Sequence, residues 1–92
     1  MNATVTEALK IMNGYDWYWY MADYGYTQLS NSAKATMRYF VKTVAQIEDS
    51  SVREALRNLW ILKYNYASAS VNGRELEDYE EKKNNYMNII NN

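Results

Sequence analysis

The chain of 92 residues contains neither cysteine nor histidine, has three glycines, and carries a formal net charge of −1. These absences exclude disulfides, metal sites built on thiolate or imidazole, catalytic triads that use either residue, and glycine-rich phosphate loops. The near-zero charge also argues against a generic nucleic-acid coat protein, which needs a positive excess to displace counterions. We therefore expect one domain over residues 1–92, without cofactor or metal and without enzymatic activity.

The absence of proline favours helices, which tolerate proline worst. We predict an all-α fold: a compact small helical bundle with three principal helices and one or two short N-terminal helical segments. Three places pair a capping side chain with a glutamate three residues later, which is typical of a helix start. These pairs are Thr4 with Glu7, Ser51 with Glu54, and Asn72 with Glu75.

The N-terminal part predicts two short helices, over 4–12 and 16–24, which end near Gly14 and Gly25. The second carries most of the aromatic stretch YDWYWYMADYGY, residues 15–26. Helical spacing places a core stripe on one side of it and Trp19 on the polar side. The predicted stripe is Trp17, Tyr20, Met21 and Tyr24. We expect Tyr18 and Trp19 to be available to a partner.

Two longer amphipathic helices are predicted over 32–48 and 51–71, from apolar residues at spacings of three and four. The stripe of the first helix is Ala33, Met37, Phe40, Val41, Val44 and Ile47. That of the second is Val52, Ala55, Leu56, Leu59, Leu62 and Tyr66, widened by Trp60 and Tyr64. So wide an apolar arc indicates a central helix that touches two neighbours. Residues 63–71 alternate enough for a strand, but the segment that follows has no strand character, and helix is preferred.

The first of these helices also carries Lys34, Arg38 and Lys42 at intervals of four residues, which we name the basic ridge. It is either a solvated flank or a patch for phosphates or for an acidic protein surface, with Tyr39 beside it as an anchor. Residues 75–81 hold five acids and no base. These acids could neutralise the ridge within the molecule, or Glu77, Glu80 and Glu81 could imitate nucleic acid on a basic partner.

A last helix is predicted over 74–90, and its heptad-like stripe is Leu76, Tyr79, Lys83, Tyr86 and Ile90. The stripe is either an internal packing face or the contact of a homo-oligomer through Leu76, Tyr79, Tyr86 and Ile90. We expect residues 91–92 to be frayed.

The stretch SSVREALRNL, residues 50–59, resembles the start of the recognition helix in winged-helix regulators of the gluconate-repressor type. The resemblance implies that Arg53 and Arg57 lie nearest to DNA. The same pattern is also the ordinary start of an amphipathic helix.

Ten tyrosines and three tryptophans against one phenylalanine favour a protein-binding role, because the first two residues bury large area with few rotors and keep a polar group. We expect a small module that occupies a surface of a larger partner. In general character it is similar to inhibitors encoded by phages and mobile elements, including anti-CRISPR proteins. Alternatives are nucleic-acid binding, through the basic ridge or the helix from Ser51, and self-assembly. With no apolar run of about 18 residues and no secretory signal, we expect a cytoplasmic protein without membrane contact.

Overall fold

A computed structural model describes residues 2–15, 17 and 31–91. These residues form four helices: α1 (Ala3–Asn13), α2 (Asn31–Ala45), α3 (Ser50–Val71) and α4 (Tyr79–Ile90). No strand occurs among them, and the predicted all-α class is confirmed. The predictions for Tyr18, Trp19 and the rest of the second short helix, Trp17 excepted, lie outside the described residues.

Helix α3 is central, as its wide apolar arc predicts. It packs on α4 along one side and on α1 and α2 along another, while α1 and α2 also pack on each other. The alternating pattern of residues 63–71 is compatible with a strand, but these residues form the last turns of α3. The strand alternative is therefore wrong.

The core brings together four aromatic rings at Trp60 of α3. The ring centroid of Trp60 lies 5.0 Å from that of Tyr15, 4.6 Å from that of Trp17 and 4.4 Å from that of Phe40. Tyr15 and Trp17 follow α1 in the chain, and Phe40 belongs to α2. This set, the Trp60 cluster, therefore joins three segments that are distant in sequence. Trp17 is buried in this cluster, which confirms the prediction that it belongs to the core stripe of the aromatic stretch.

Most residues of the two predicted stripes are buried, with one error. The buried residues of the first stripe are Ala33, Phe40 and Val44 in α2 and Ile47 shortly after it. Val41 was predicted to share this face, but it is 55% exposed, because it lies at the edge of the stripe where no described helix covers it. In α3 the buried residues include Val52, Ala55, Leu56, Leu59 and Leu62.

The helix starts differ from the predicted caps. The side chain of Asn2, not Thr4, caps α1 by accepting a hydrogen bond from the backbone N–H of Val5 at 2.9 Å. At α3 the Asp49 carboxylate accepts from the N–H groups of Ser51 and Val52 at 2.9 and 3.2 Å. Asparagine and aspartate are at least as good N-caps as serine and threonine, and each helix begins earlier than its predicted box.

The third predicted cap is also wrong, because Asn72 ends α3 instead of starting α4. Its side-chain amide donates to the carbonyl of Ser68 at 2.8 Å, and Gly73 follows with φ of +68°, a conformation that glycine adopts at little cost. The chain then runs through a loop to Asp78, which has φ of 59°. Helix α4 consequently begins at Tyr79 and not at 74.

The caps predict different costs for two neighbouring substitutions. Asp49→Ala should lower the free energy of unfolding by about 1 kcal/mol, since two backbone donors lose their acceptor. Ser51→Ala should change it by less than about 0.5 kcal/mol. Urea denaturation of both variants measures the difference. The reverse order would contradict the observed cap and restore Ser51 as the capping residue.

The Trp60 cluster predicts a large difference between adjacent positions. Trp60→Ala should lower the free energy of unfolding by about 3 kcal/mol, the lower end of the range for a core tryptophan, because three rings lose their common contact although Trp60 itself is half-buried. Ile61→Ala, at a side chain that is 55% exposed, is the matched control and should cost at most about 0.5 kcal/mol. Equal costs in urea denaturation would show that Trp60 does not centre the core.

Candidate functional site

The basic ridge lies on the solvent-facing side of α2. Lys34, Arg38 and Lys42 are all exposed, and α2 contains no acidic residue. Among the described residues the ion pairs join Arg57 to Glu54 and Lys83 to Glu80. The ridge thus presents three cations that no described carboxylate neutralises.

The acidic run does not reach the ridge, because the two sit on different sides of α3. Phe40 of α2 stacks on Trp60, whereas Tyr79 at the start of α4 stacks on Tyr66, with ring centroids 4.0 Å apart. At 100° per residue, Trp60 and Tyr66 point about 120° apart around α3. The described acidic residues therefore do not form the ion pairs with the basic ridge that would have given the ridge a structural role.

Two exposed apolar side chains flank the ridge. Tyr39 is 54% exposed and Val41 is 55% exposed, and they lie on opposite edges of the outward face of α2. On the Tyr39 side, a shallow groove of about 480 Å³ runs between α1 and α2. Glu7, Lys10 and Thr36 are among its lining residues, so one further cation and one carboxylate stand near the ridge. We name the ridge with Tyr39 and Val41 the α2 face.

The two arginines implied by the resemblance have different surroundings. Arg53 is half-buried, and its guanidinium donates to the carbonyls of Ile47 and Glu48 at 2.6 and 3.5 Å, which fastens the α2–α3 loop. Arg57 is exposed and lies 3.9 Å from Glu54. In residues 72–91, after α3, the chain forms a loop and α4 and no strand. The hairpin wing of the winged-helix class is therefore not present at that place.

The acidic residues do not all lie on one helix, as the predicted helix over 74–90 would require. Glu75 and Glu77 belong to the loop before α4, while Glu80 and Glu81 occupy its first turn. At that position they suit the helix dipole. All of these side chains are exposed, and Glu80 lies 3.1 Å from the Lys83 ammonium. The arrangement is that of an ordinary acidic helix start preceded by an acidic loop.

The predicted heptad stripe of α4 is a packing face within the chain. Ile90 is buried, and Leu76, Tyr79, Lys83 and Tyr86 are half-buried. The three apolar members of this second group pack against the core. Self-association through the stripe stays a prediction. It would have to use the exposed parts of Leu76, Tyr79 and Tyr86.

Lys63 is a candidate site residue that was not predicted from the sequence. This half-buried lysine lines a small cavity with Trp17, Tyr66, Ala67 and Tyr79. Burial, and secondarily the charge of Lys83, lowers the pKa of the Lys63 amine, while Glu80 opposes the shift. A signal was available, because helical spacing places Lys63 on the same side of α3 as Leu56 and Leu59.

Comparisons with protein-family models, curated proteins and solved structures give no match to this chain. The residues of the chain itself therefore carry the functional argument. Within the described ranges, no cluster of three or more acidic side chains is arranged to hold a metal ion. Within the same ranges, no helix has the length and apolar character needed to cross a membrane.

The environment of Lys63 predicts a pH-dependent change in stability. Because its pKa in the folded chain is below the ordinary 10.5, the charged amine opposes folding at neutral pH, and this cost shrinks as the pH rises from the lowered pKa through 10.5. Lys63→Met should raise the free energy of unfolding at pH 7, by less than about 1 kcal/mol since the amine is partly solvated.

Urea denaturation of wild type and Lys63→Met between pH 7 and the ordinary lysine pKa of 10.5 measures this effect. The advantage of the variant should shrink as the pH rises. Lys82→Met, at an exposed lysine of α4, is the control and should show no such trend. A difference that does not depend on pH would contradict the assignment of the cost to the charge.

Proposed function

We propose that this chain is a small protein-binding module without enzymatic activity, which docks its α2 face on an acidic surface of a larger protein. The observation that carries the proposal is that, among the described residues, no carboxylate lies within 4.0 Å of a cation of the basic ridge. Exposed cations that form no ion pair with the described residues are available to a partner, and complementary charge across an interface raises association rates and selects the partner.

The apolar residues of the α2 face favour a protein over a nucleic acid. Tyr39 and Val41 are each more than half exposed, and an aliphatic side chain such as Val41 gains nothing from a phosphate backbone. Arg38 and Tyr39 belong to the residue types that are enriched at protein interfaces. A nucleic-acid site would in addition require more cations than the ridge and Lys10 supply.

The proposal of a non-enzymatic role rests on the side chains that are present. Without cysteine and histidine, general acid–base or nucleophilic chemistry would fall to carboxylates, tyrosines or lysines in a concave site. The acidic residues of the α4 region are exposed. They are poor candidates for such chemistry, because an exposed carboxylate is not held in a concave site.

Occupation of a partner surface is the mode of action of a small inhibitor. Inhibitors encoded by phages and mobile elements, including anti-CRISPR proteins, are one class that acts in this way. The excess of tyrosine and tryptophan over phenylalanine is the support for proposing this class.

Charge reversal on the α2 face tests the proposal. Arg38→Glu with Lys42→Glu should reduce the capture of partner from a lysate of the host cell by about tenfold or more, because like charges then face each other. The matched control is Arg74→Glu with Lys82→Glu, which makes the same change in net charge at exposed positions outside the α2 face. Quantitative mass spectrometry of the captured proteins gives the ratio.

Equal loss of capture in both double variants would show an effect of net charge alone and would contradict the proposal. Titration of the wild-type chain with duplex and single-stranded DNA at low salt tests the alternative function. Binding at about micromolar concentrations with a steep dependence on salt would favour nucleic-acid binding through the ridge.

A further inference from the structure

A small cavity lies between α3, the start of α4 and Trp17. Its volume is about 150 Å³, and its lining consists of Trp17, Lys63, Tyr66, Ala67 and Tyr79. Three of these five residues are aromatic, and Ala67 forms a small apolar wall. A cavity of roughly 150 Å³ accommodates a benzene ring. In size and lining the cavity therefore suits one flat ring.

The polar group of this cavity is the Lys63 ammonium. Among the described residues it has no carboxylate within 4.0 Å. Its neighbour Lys83 differs, because that ammonium lies 3.1 Å from Glu80 and 5.5 Å from the ring centroid of Tyr79. The Glu80 carboxylate thus pairs with Lys83, while Lys63 has no described carboxylate within 4.0 Å. A half-buried cation without a partner opposes folding unless an anion joins it.

We propose that the cavity binds a small aromatic carboxylate, with its ring against the aromatic walls and its carboxylate on the Lys63 ammonium. The ring would replace the empty space between Trp17 and the tyrosines by stacked or edge contacts, which aromatic groups favour. The carboxylate would form a charge-assisted hydrogen bond with Lys63, which is stronger than a bond between neutral groups. This site is separate from the α2 face and does not depend on the protein-binding role.

Benzoate is the probe, and the test follows backbone and lysine side-chain resonances of the isotope-labelled full chain by NMR. Saturable shifts should centre on Lys63, Tyr66 and Tyr79. Benzyl alcohol, which keeps the ring and lacks the charge, and acetate, which keeps the charge and lacks the ring, should each bind at least about tenfold more weakly. These two ligands test both halves of the site on the unmodified protein.

Lys63→Met should weaken benzoate binding by about tenfold or more, while Lys63→Arg restores it to within a few-fold and Lys82→Met leaves it unchanged. Three results would each overturn the proposal. They are the absence of saturation below about 10 mM, equal binding of benzoate and benzyl alcohol, and benzoate shifts that persist unchanged in Lys63→Met.

Discussion

The contact of three rings with Trp60 is the interaction on which the rest of the structure depends. Tyr15 and Trp17 come from the segment after α1, and Phe40 comes from α2. A small chain with a single phenylalanine here uses large amphipathic rings where other cores use leucine and phenylalanine. Because Phe40 is held against Trp60, the rotation of α2 about its axis is set, and the basic ridge on its far side must face outward.

The same arrangement keeps the opposite charges of the chain apart. Helix α3 stands between α2 and the acidic start of α4, with Phe40 on one side and the stacked pair of Tyr66 and Tyr79 on the other. The cations of α2 therefore stay unneutralised by the described carboxylates. Charge that contributes nothing to folding can be retained for contact with a partner, and this is the basis on which the α2 face is proposed as the binding surface.

Periodicity within one helix was enough to predict the class of fold, the buried sides of α2 and α3, and the outward position of Lys34, Arg38 and Lys42. The caps could not be predicted, because Asn2 and Thr4, or Asp49 and Ser51, differ as N-caps by less than about 1 kcal/mol. The cavity at Lys63 was also out of reach, since its walls come from three separate segments. That the described acids of the α4 region form no ion pair with the ridge likewise depends on how α3 separates α2 from α4.

The most direct test of this account asks whether the fold needs the basic ridge at all. In the triple variant Lys34→Gln, Arg38→Gln and Lys42→Gln, the positive charges disappear while a polar side chain of good helix propensity remains at each position. The account predicts a free energy of unfolding, measured by urea denaturation, within about 0.5 kcal/mol of the wild-type value. A loss of more than about 1.5 kcal/mol would show that the ridge is part of the structure and would contradict its role as a free binding surface.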